Sequence, residues 1–367
     1  MKPCQMHVCE LTRDWVSEAS GAWTDLLRQS NAHAIFMSWA WTSSWIETLG
    51  EEANAKILGV YQADRLIAIL PLSVSRPAKS IWGKRLLLGS VDEFGADYSD
   101  LLCVSGFEAE ATQAIAEWLI ASGDWVQCEF RDVLQTALVR RVAGLMNATG
   151  AVEDRPGSKC PRTSLIHGWK HILRERFDQK RRYNIVRQLR LAEEKESLRM
   201  VFHETPDAVS RAFPVLVRLH NERKTSQRVH SSFSQPQRLA FHAVAAAKLS
   251  ESGSAFIATL ESPNEIVSAA YCFRDDKSVY YFQTGMSAAG AALGAGSTLL
   301  YLLLRSAADQ GYQSFDFLQG EEDYKRAWAT DYVDQRVITI TRAGMRGAVA
   351  RAVAEGRRAL SRLRKYV

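Results

Sequence analysis

Runs of apolar residues separated by short polar turns organise much of the chain. In "AKILGVYQADRLIAILPLSVSR" (55–76) two β-like runs flank the polar turn "QADR", which predicts a hairpin. "LLLGSVDEFGADYSDLLCV" (86–104) predicts a strand, a Gly/Asp-rich loop and another strand; residues 108–122 predict a helix and "WVQCEF" (125–130) a further strand. The layout returns in "SAFIATLESPNEIVSAAYCFRDDKSVYYFQTGM" (254–286), three strand-like runs joined by "ESPNE" and "RDDK". After Met286 a Gly/Ala loop leads to a helix over about 296–310, then "QSFDFL" (313–318), a short helix, and the last strand "QRVITITR" (335–342). Strands followed by helices and then strands again predict a mixed α/β (α+β) sandwich. Strand, polar turn and strand recur in both halves, a pattern that a duplication would leave.

Two segments depart from this alternation. Residues 22–50 predict two helices about a turn, with Trp39, Trp41 and Trp45 supplying packing area. "HGWKHILRERFDQKRRYNIVRQLRLAEEKESLRM" (167–200) predicts one long helix or two shorter ones. Within it, positions 170–190 carry eight Lys/Arg, and Ile172, Phe177, Val186 and Leu189 are available to bury one side. The bland reading of these bases is a solvated helix face; the functional one is phosphate binding.

Composition narrows the class. With 367 residues, 47% apolar and 24% charged, the chain has material for two ordinary domains with sizeable cores. The net charge of +5 is mild, so only local concentrations of charge matter: the 170–190 run, and the stretch from Arg342 onward, with eight bases against Glu355. Cys4, Cys9, Cys103, Cys128, Cys160 and Cys272 have neither disulfide-framework nor zinc spacing, which fits a reducing cytoplasm. The longest apolar run, "LLYLLL" (299–304), is far short of the roughly 20 residues a spanning helix needs.

Chemistry concentrates near the C-terminal end. In "GAALGAGSTLLYLLLRSAADQGY" (290–312), Gly294 and Gly296 allow positive φ and close backbone approach ahead of an apolar helix. The first N–H groups of that helix lack intrahelical partners and form an anion site that would suit a diphosphate. In "FDFLQGEEDYKRAW" (315–328) a strand ends at a glycine and restarts as a helix with three acids, then Tyr324, Lys325 and Trp328. No G-x-S-x-G is present, and His167 and His171, although spaced i, i+4, have no further ligand motif near them.

This order of elements resembles the second half of the GNAT acyltransferase fold, and the nearest likenesses are the tandem Fem-type and CelD-type (BioF-like acetyltransferase domain) transferases. The family pattern D-F-x-x-G-x-x-x-Y-K-x-x-W falls on Asp316, Phe317, Gly320, Tyr324, Lys325 and Trp328; "FGADYSDLLC" and "VRLHNERKTSQ" (217–227) resemble further family segments. The resemblance implies two GNAT-like halves, 1–165 and 206–342, a basic helical connector at 166–205 and a basic tail at 343–367. It implies a thioester donor, acyl-CoA (acetyl-CoA or longer), whose pyrophosphate rests on Gly294, Gly296, Ser297 and Thr298, with Gln283 and Thr284 at the strand edge. Tyr324 stands where the fold offers an acid to the departing thiolate, with Lys325 and Asp316 as further catalytic candidates; His220, Arg223 and Lys224 are acceptor-binding candidates. The Gln or Arg that many members carry three residues before the first glycine is Ala291 here, so phosphate binding would rest on backbone N–H groups or on cations from elsewhere.

Three expectations follow. The first is an N-acyltransferase, independent of metal, that moves an acyl group to an amine or hydroxyl acceptor, a sugar or a cell-envelope or exopolysaccharide intermediate. The second is Fem-type aminoacyl transfer from charged tRNA, with the 170–190 bases on its phosphates. The third is a non-catalytic scaffold of envelope polysaccharide synthesis, its tail at 343–367 resting on an anionic membrane at the inner face. Acyl length and oligomeric state are not encoded in any local signal.

Overall fold

The structure, a computed structural model, describes residues 6–49, 54–75, 83–89, 96–194, 198–229, 231–320, 322–349 and 351–352. The expectations for Cys4, for Glu321 and for most of the 343–367 tail therefore lie outside the described residues. The chain divides into two compact units, Met1–Ser158 with Asp334–Val367, and Lys159–Val333.

In chain order the first unit contains β1 (Met6–Leu11), α1 (Arg13–Glu18), α2 (Ser20–Arg28), α3 (Trp39–Leu49), β2 (Ala55–Gln62), β3 (Arg65–Ser75) and β4 (Lys84–Leu88). It continues with β5 (Leu102–Cys103), α4 (Glu108–Ser122), β6 (Trp125–Leu134), α5 (Val139–Leu145) and the beginning of β7 (Gly150–Ser164). The second unit continues with α6 (Trp169–Arg176), α7 (Gln179–Glu194), β8 (Arg199–His203), α8 (Pro206–Ser226), α9 (Pro236–Glu251), β9 (Ala255–Glu261) and β10 (Ile266–Arg274). It ends with β11 (Ser278–Met286), α10 (Ala288–Ala292), α11 (Ala295–Asp309), β12 (Ser314–Asp316), α12 (Asp323–Trp328) and the start of β13 (Asp331–Arg342).

Both units follow one plan. In the first, β1, β2, β3 and β4 pair antiparallel in that order, β4 pairs β6 in parallel, and β6 pairs β13 antiparallel. In the second, β8, β9, β10 and β11 pair antiparallel, β11 pairs β12 in parallel, and β12 pairs β7 antiparallel. The mixed, mostly antiparallel sheets flanked by helices are those expected. Each unit takes its closing strand from the segment that follows the other unit's last helix, which is why residues from Lys159 and from Asp334 change units.

The core of the first unit gathers Leu58, Leu70, Leu72, Leu119 and Phe130 between its sheet and α4. In the second unit α11 buries Leu299, Leu300, Leu303 and Leu304 against Cys272, Tyr281, Phe315 and Phe317. Trp328 belongs to this core: it stacks on Trp169 at 5.4 Å and meets Phe177 edge-on at 4.6 Å, which pins α12 in place.

Residues 166–205, expected as a connector, fall inside the second unit. They form two helices because Phe177 is extended, and Asp178 Oδ1 accepts from Arg181 N–H at 2.7 Å to start α7 afresh. That break shifts the helical phase. Ile185 takes the buried position, and Val186, expected inside, is 53% exposed.

Candidate active site

Between β11 and β12 the backbone opens. The two strands pair at Ser278↔Ser314, Val279↔Phe315 and Tyr280↔Asp316; β12 then ends while β11 runs on to Met286. On its other edge β11 pairs Gln283 with Tyr271 and Tyr281 with Cys272, so Phe282 is an extra residue in a bulge. A bulge bends its strand and re-aims the neighbouring groups. Beyond Tyr280, no strand among the described residues pairs with β11 on the β12 side. This wedge is the centre of the candidate site.

Asp316 forms one wall of its exit. Its carboxylate is buried, and Oδ1 accepts from Leu318 N–H at 2.7 Å, fastening a residue held at φ 56°. A left-handed leucine is costly, so Asp316 supports the turn that leads from β12 toward α12. Lys325 has a similar task. Its buried ammonium donates to the Gln319 carbonyl at 2.6 Å and pairs with Glu322 at 3.2 Å. A Cβ on Gly320, which has φ 119°, would lie 2.8 Å from Lys325 Nζ and 2.3 Å from the Glu322 carboxylate. Lysine and glutamate fold over the glycine and clasp the turn.

Tyr324 faces a different neighbourhood. Burial pushes its phenol well above the ordinary range, Tyr281 and Glu322 push it further, and the nearby Arg223 guanidinium opposes them. Burial also pushes Tyr281 up to about 12. Both phenols therefore keep their protons at neutral pH and can donate them. Arg223 is half-buried near the end of α8, and its Nε has no hydrogen-bond partner among the described residues.

A glycine lets α8 approach. A Cβ on Gly285 would sit 2.2 Å from the backbone nitrogen of His220. The close approach places His220 Nδ1 2.9 Å from the Thr284 carbonyl and Nε2 3.3 Å from Ser232 Oγ. A carbonyl only accepts, so Nδ1 carries the hydrogen and Nε2 receives the Ser232 hydroxyl. Burial lowers the pKa of His220 to about 4; the Thr284 bond opposes this, and Lys224 and Arg223 reinforce it. Thr284 turns its own hydroxyl to the Ala269 carbonyl at 3.0 Å, which binds β11 to β10.

The depressed value has a consequence for stability. An unfolded His220 takes up a proton below its ordinary pKa of 6.5, whereas the folded one resists down to about 4. Its contribution is complete above 6.5 and is lost as pH falls toward 4. His220→Gln is expected to remove about 2 kcal/mol of the loss in urea-unfolding stability between pH 6.5 and pH 5. An unchanged pH slope would contradict the burial of a neutral imidazole.

The donor-facing candidates lie at the start of α11. Gly294 adopts φ 66° as its N-cap, Gly296 is half-buried, Ser297 is exposed and Thr298 is buried. Thr298 N–H returns to the Gly294 carbonyl at 3.0 Å, and the amides of residues 295–297, which precede the first intrahelical bond, have no backbone partner among the described residues. Gln188, from α7, was not singled out by the sequence pattern. Its amide donates to the Gly294 carbonyl at 3.1 Å and to Thr298 Oγ1 at 2.9 Å, and would be 3.0 Å from a Cβ on Gly294. A carboxamide from another helix thus stands beside the loop in which Ala291 is exposed. Nothing local in the basic run marked it.

The bases of 170–190 separate into two groups. Arg176 donates at 3.3 Å to the carbonyls of Arg326 and Ala327, the C-terminal end of α12, and Arg182 donates to the Phe177 carbonyl at 2.9 Å. Lys170, Arg174, Lys180, Arg181, Arg187 and Arg190 are exposed. Among the described residues no three His, Cys, Asp or Glu side chains gather as a metal site, and no helix is long and apolar enough to cross a membrane.

The comparisons with known proteins agree with this geometry. The family described as "Acetyltransferase (GNAT) domain" matches residues 179–326, the stretch that contains the wedge, α11 and the first residues of α12. Among solved structures, FemX aligns over 90% of this chain and 96% of its own at a TM-score of 0.59 and 10% identity. The C-terminal domain of a putative lysylphosphatidylglycerol synthetase from Agrobacterium fabrum aligns over 93% and 96% at 0.54 and 12% identity. L-PGS from Bacillus licheniformis aligns over 86% and 90% at 0.51 and 15% identity. At these identities the likeness is one of fold. No curated protein matches the chain in sequence. Residues 179–326 match the acetyltransferase (GNAT) domain family, within a chain whose tandem GNAT-like fold is similar to that of FemX.

Proposed function

We propose that the second unit transfers an acyl group from acyl-CoA to an amine or hydroxyl acceptor, with a sugar or cell-envelope intermediate as the acceptor class. The observation that carries this reading is the wedge between β11 and β12, with the free amides of α11 and a protonated Tyr324 belonging to the same unit. The amides and helix dipole would hold the pyrophosphate, and Gln188 would keep their loop in shape. Attack of the acceptor on the thioester carbonyl carbon forms the new C–N or C–O bond and breaks the C–S bond. The acceptor nitrogen or oxygen gives up its own proton to solvent, the thiolate takes a proton from the Tyr324 hydroxyl, and the phenol is reprotonated from solvent. Arg223 would stabilise the transient phenolate.

Gly296→Asp tests the donor site. A carboxylate in the first turn favours the helix itself and repels phosphate. We expect at least about tenfold weaker acetyl-CoA binding by calorimetry, with thermal stability followed alongside because the added Cβ would lie 3.1 Å from Met286 Sδ. Binding that survives the substitution, or no binding of any acyl-CoA by the unaltered protein, would refute it.

The exposed bases on α7, the helix that also carries Gln188, favour one second reading: an aminoacyl-tRNA donor. In that case labelled tRNA should bind in place of coenzyme, and its affinity should fall steeply between low and moderate salt.

A further inference from the structure

A separate cleft of about 510 Å³ lies where α8 gives way to α9, lined by Lys224, Arg238, Gln235, Gln283 and the hydroxyl-bearing Ser231, Ser232 and Ser234. It adjoins the wedge through Gln283, which follows the bulged Phe282 on β11. Its wall is built. Phe233, in the middle of the serines, is buried and packs edge-on against Phe213, His220 and His242 at 5.8, 5.0 and 5.6 Å. Ser232 is further tied to His220 Nε2.

The lining has one sign of charge. Among the described residues two cations line it and no carboxylate does. Lys224 is half-buried, and among the described residues no carboxylate pairs with it. A ligand anion would supply the counter-charge that this ammonium lacks. The serine hydroxyls and two carboxamides supply both donors and acceptors, the complement of a hydroxylated ligand. On these grounds we infer that this cleft is the acceptor subsite, and that it selects an acceptor carrying an anionic group, phosphate or carboxylate, beside its nucleophile. The inference rests on the acyl-transfer reading for the word acceptor, while the anion selectivity belongs to the cleft itself.

The test is calorimetry on the full chain with three amino-sugar probes: glucosamine, glucosamine 6-phosphate and muramic acid. Coenzyme affinity is titrated in parallel. At least one charged probe is expected to bind about tenfold or more tightly than glucosamine, the better of the two distinguishing phosphate from carboxylate. Lys224→Gln should bring that probe to within about threefold of glucosamine, while coenzyme affinity stays unchanged. Equal binding of all three probes overturns the inference, as does a preference that persists in Lys224→Gln. Loss of coenzyme binding in the unaltered protein, with the anion preference retained, would overturn the donor reading and leave the cleft's selectivity standing.

Discussion

Tyr324→Phe is expected to lower kcat by about 10²–10⁴-fold while the dissociation constant for coenzyme changes less than about twofold. The substitution removes one hydroxyl and no packing. Tyr324 sits against the core with its ring partly buried, and phenylalanine preserves that contact. What disappears is a proton whose pKa burial has raised, beside a guanidinium placed to take up the negative charge left behind. A thiolate is a weaker base than a phenolate, so the transfer depends on the Arg223 charge, which lowers the cost of leaving a phenolate as the C–S bond breaks. Thiol release measured under saturating acceptor reads the chemical step directly. Arg223→Met, which removes the charge opposing the upward shift, should produce a loss in the same direction. A rate within about threefold of the unaltered protein in Tyr324→Phe would leave the phenol a packing residue and require another acid.

The second large effect falls on stability. Gly285→Ala is expected to cost about 2–4 kcal/mol, because its added methyl would lie 2.2 Å from the His220 nitrogen and 2.4 Å from the Leu219 carbonyl carbon. Both clashing atoms are backbone, so no rotamer change relieves them. Helix α8 must move off β11 as a body, taking with it the contact between His220 and Thr284. Urea unfolding measures the cost, and the imidazole NMR signal of His220 reports the lost carbonyl bond. Gly21→Ala is the control: a Cβ there meets nothing within 4 Å, and in the helix α2 alanine should gain about 0.5–1 kcal/mol. If the two alanines behave alike, the close approach of α8 to β11 is not the reason for Gly285.

Much of the secondary structure was present in the local pattern. The helix at Glu108–Ser122, the three strands between Ala255 and Met286, and the helix at Ala295–Asp309 lie within a residue or two of their expected bounds, because period-2 and period-3.6 apolar spacing is a property of neighbours in the chain. The turn at Gly320 and the helix start at Gly294 were also legible, since both demand glycine's freedom in φ. Strand β7 was not. "GAVEDRPGSKCPRTS" has two glycines, two prolines and no alternation, and its partner atoms come from the far end of the chain: the Thr341 carbonyl would stand 2.0 Å from a Cβ on Gly150. Side-chain assignments divide in the same way. The pattern Tyr-Lys-x-x-Trp marked α12, yet only the folded chain turns Lys325 back onto Gln319 and sets Tyr324 beside Arg223. Gln188 meets Gly294 across 106 residues, and His220 meets the Thr284 carbonyl across 64. Most strands, helices and turns could be placed from the chain alone, because they depend on backbone sterics and on the spacing of adjacent side chains. Tertiary structure alone decided which groups share the wedge, because a hydrogen bond or a van der Waals contact between distant residues has no period from which to read it.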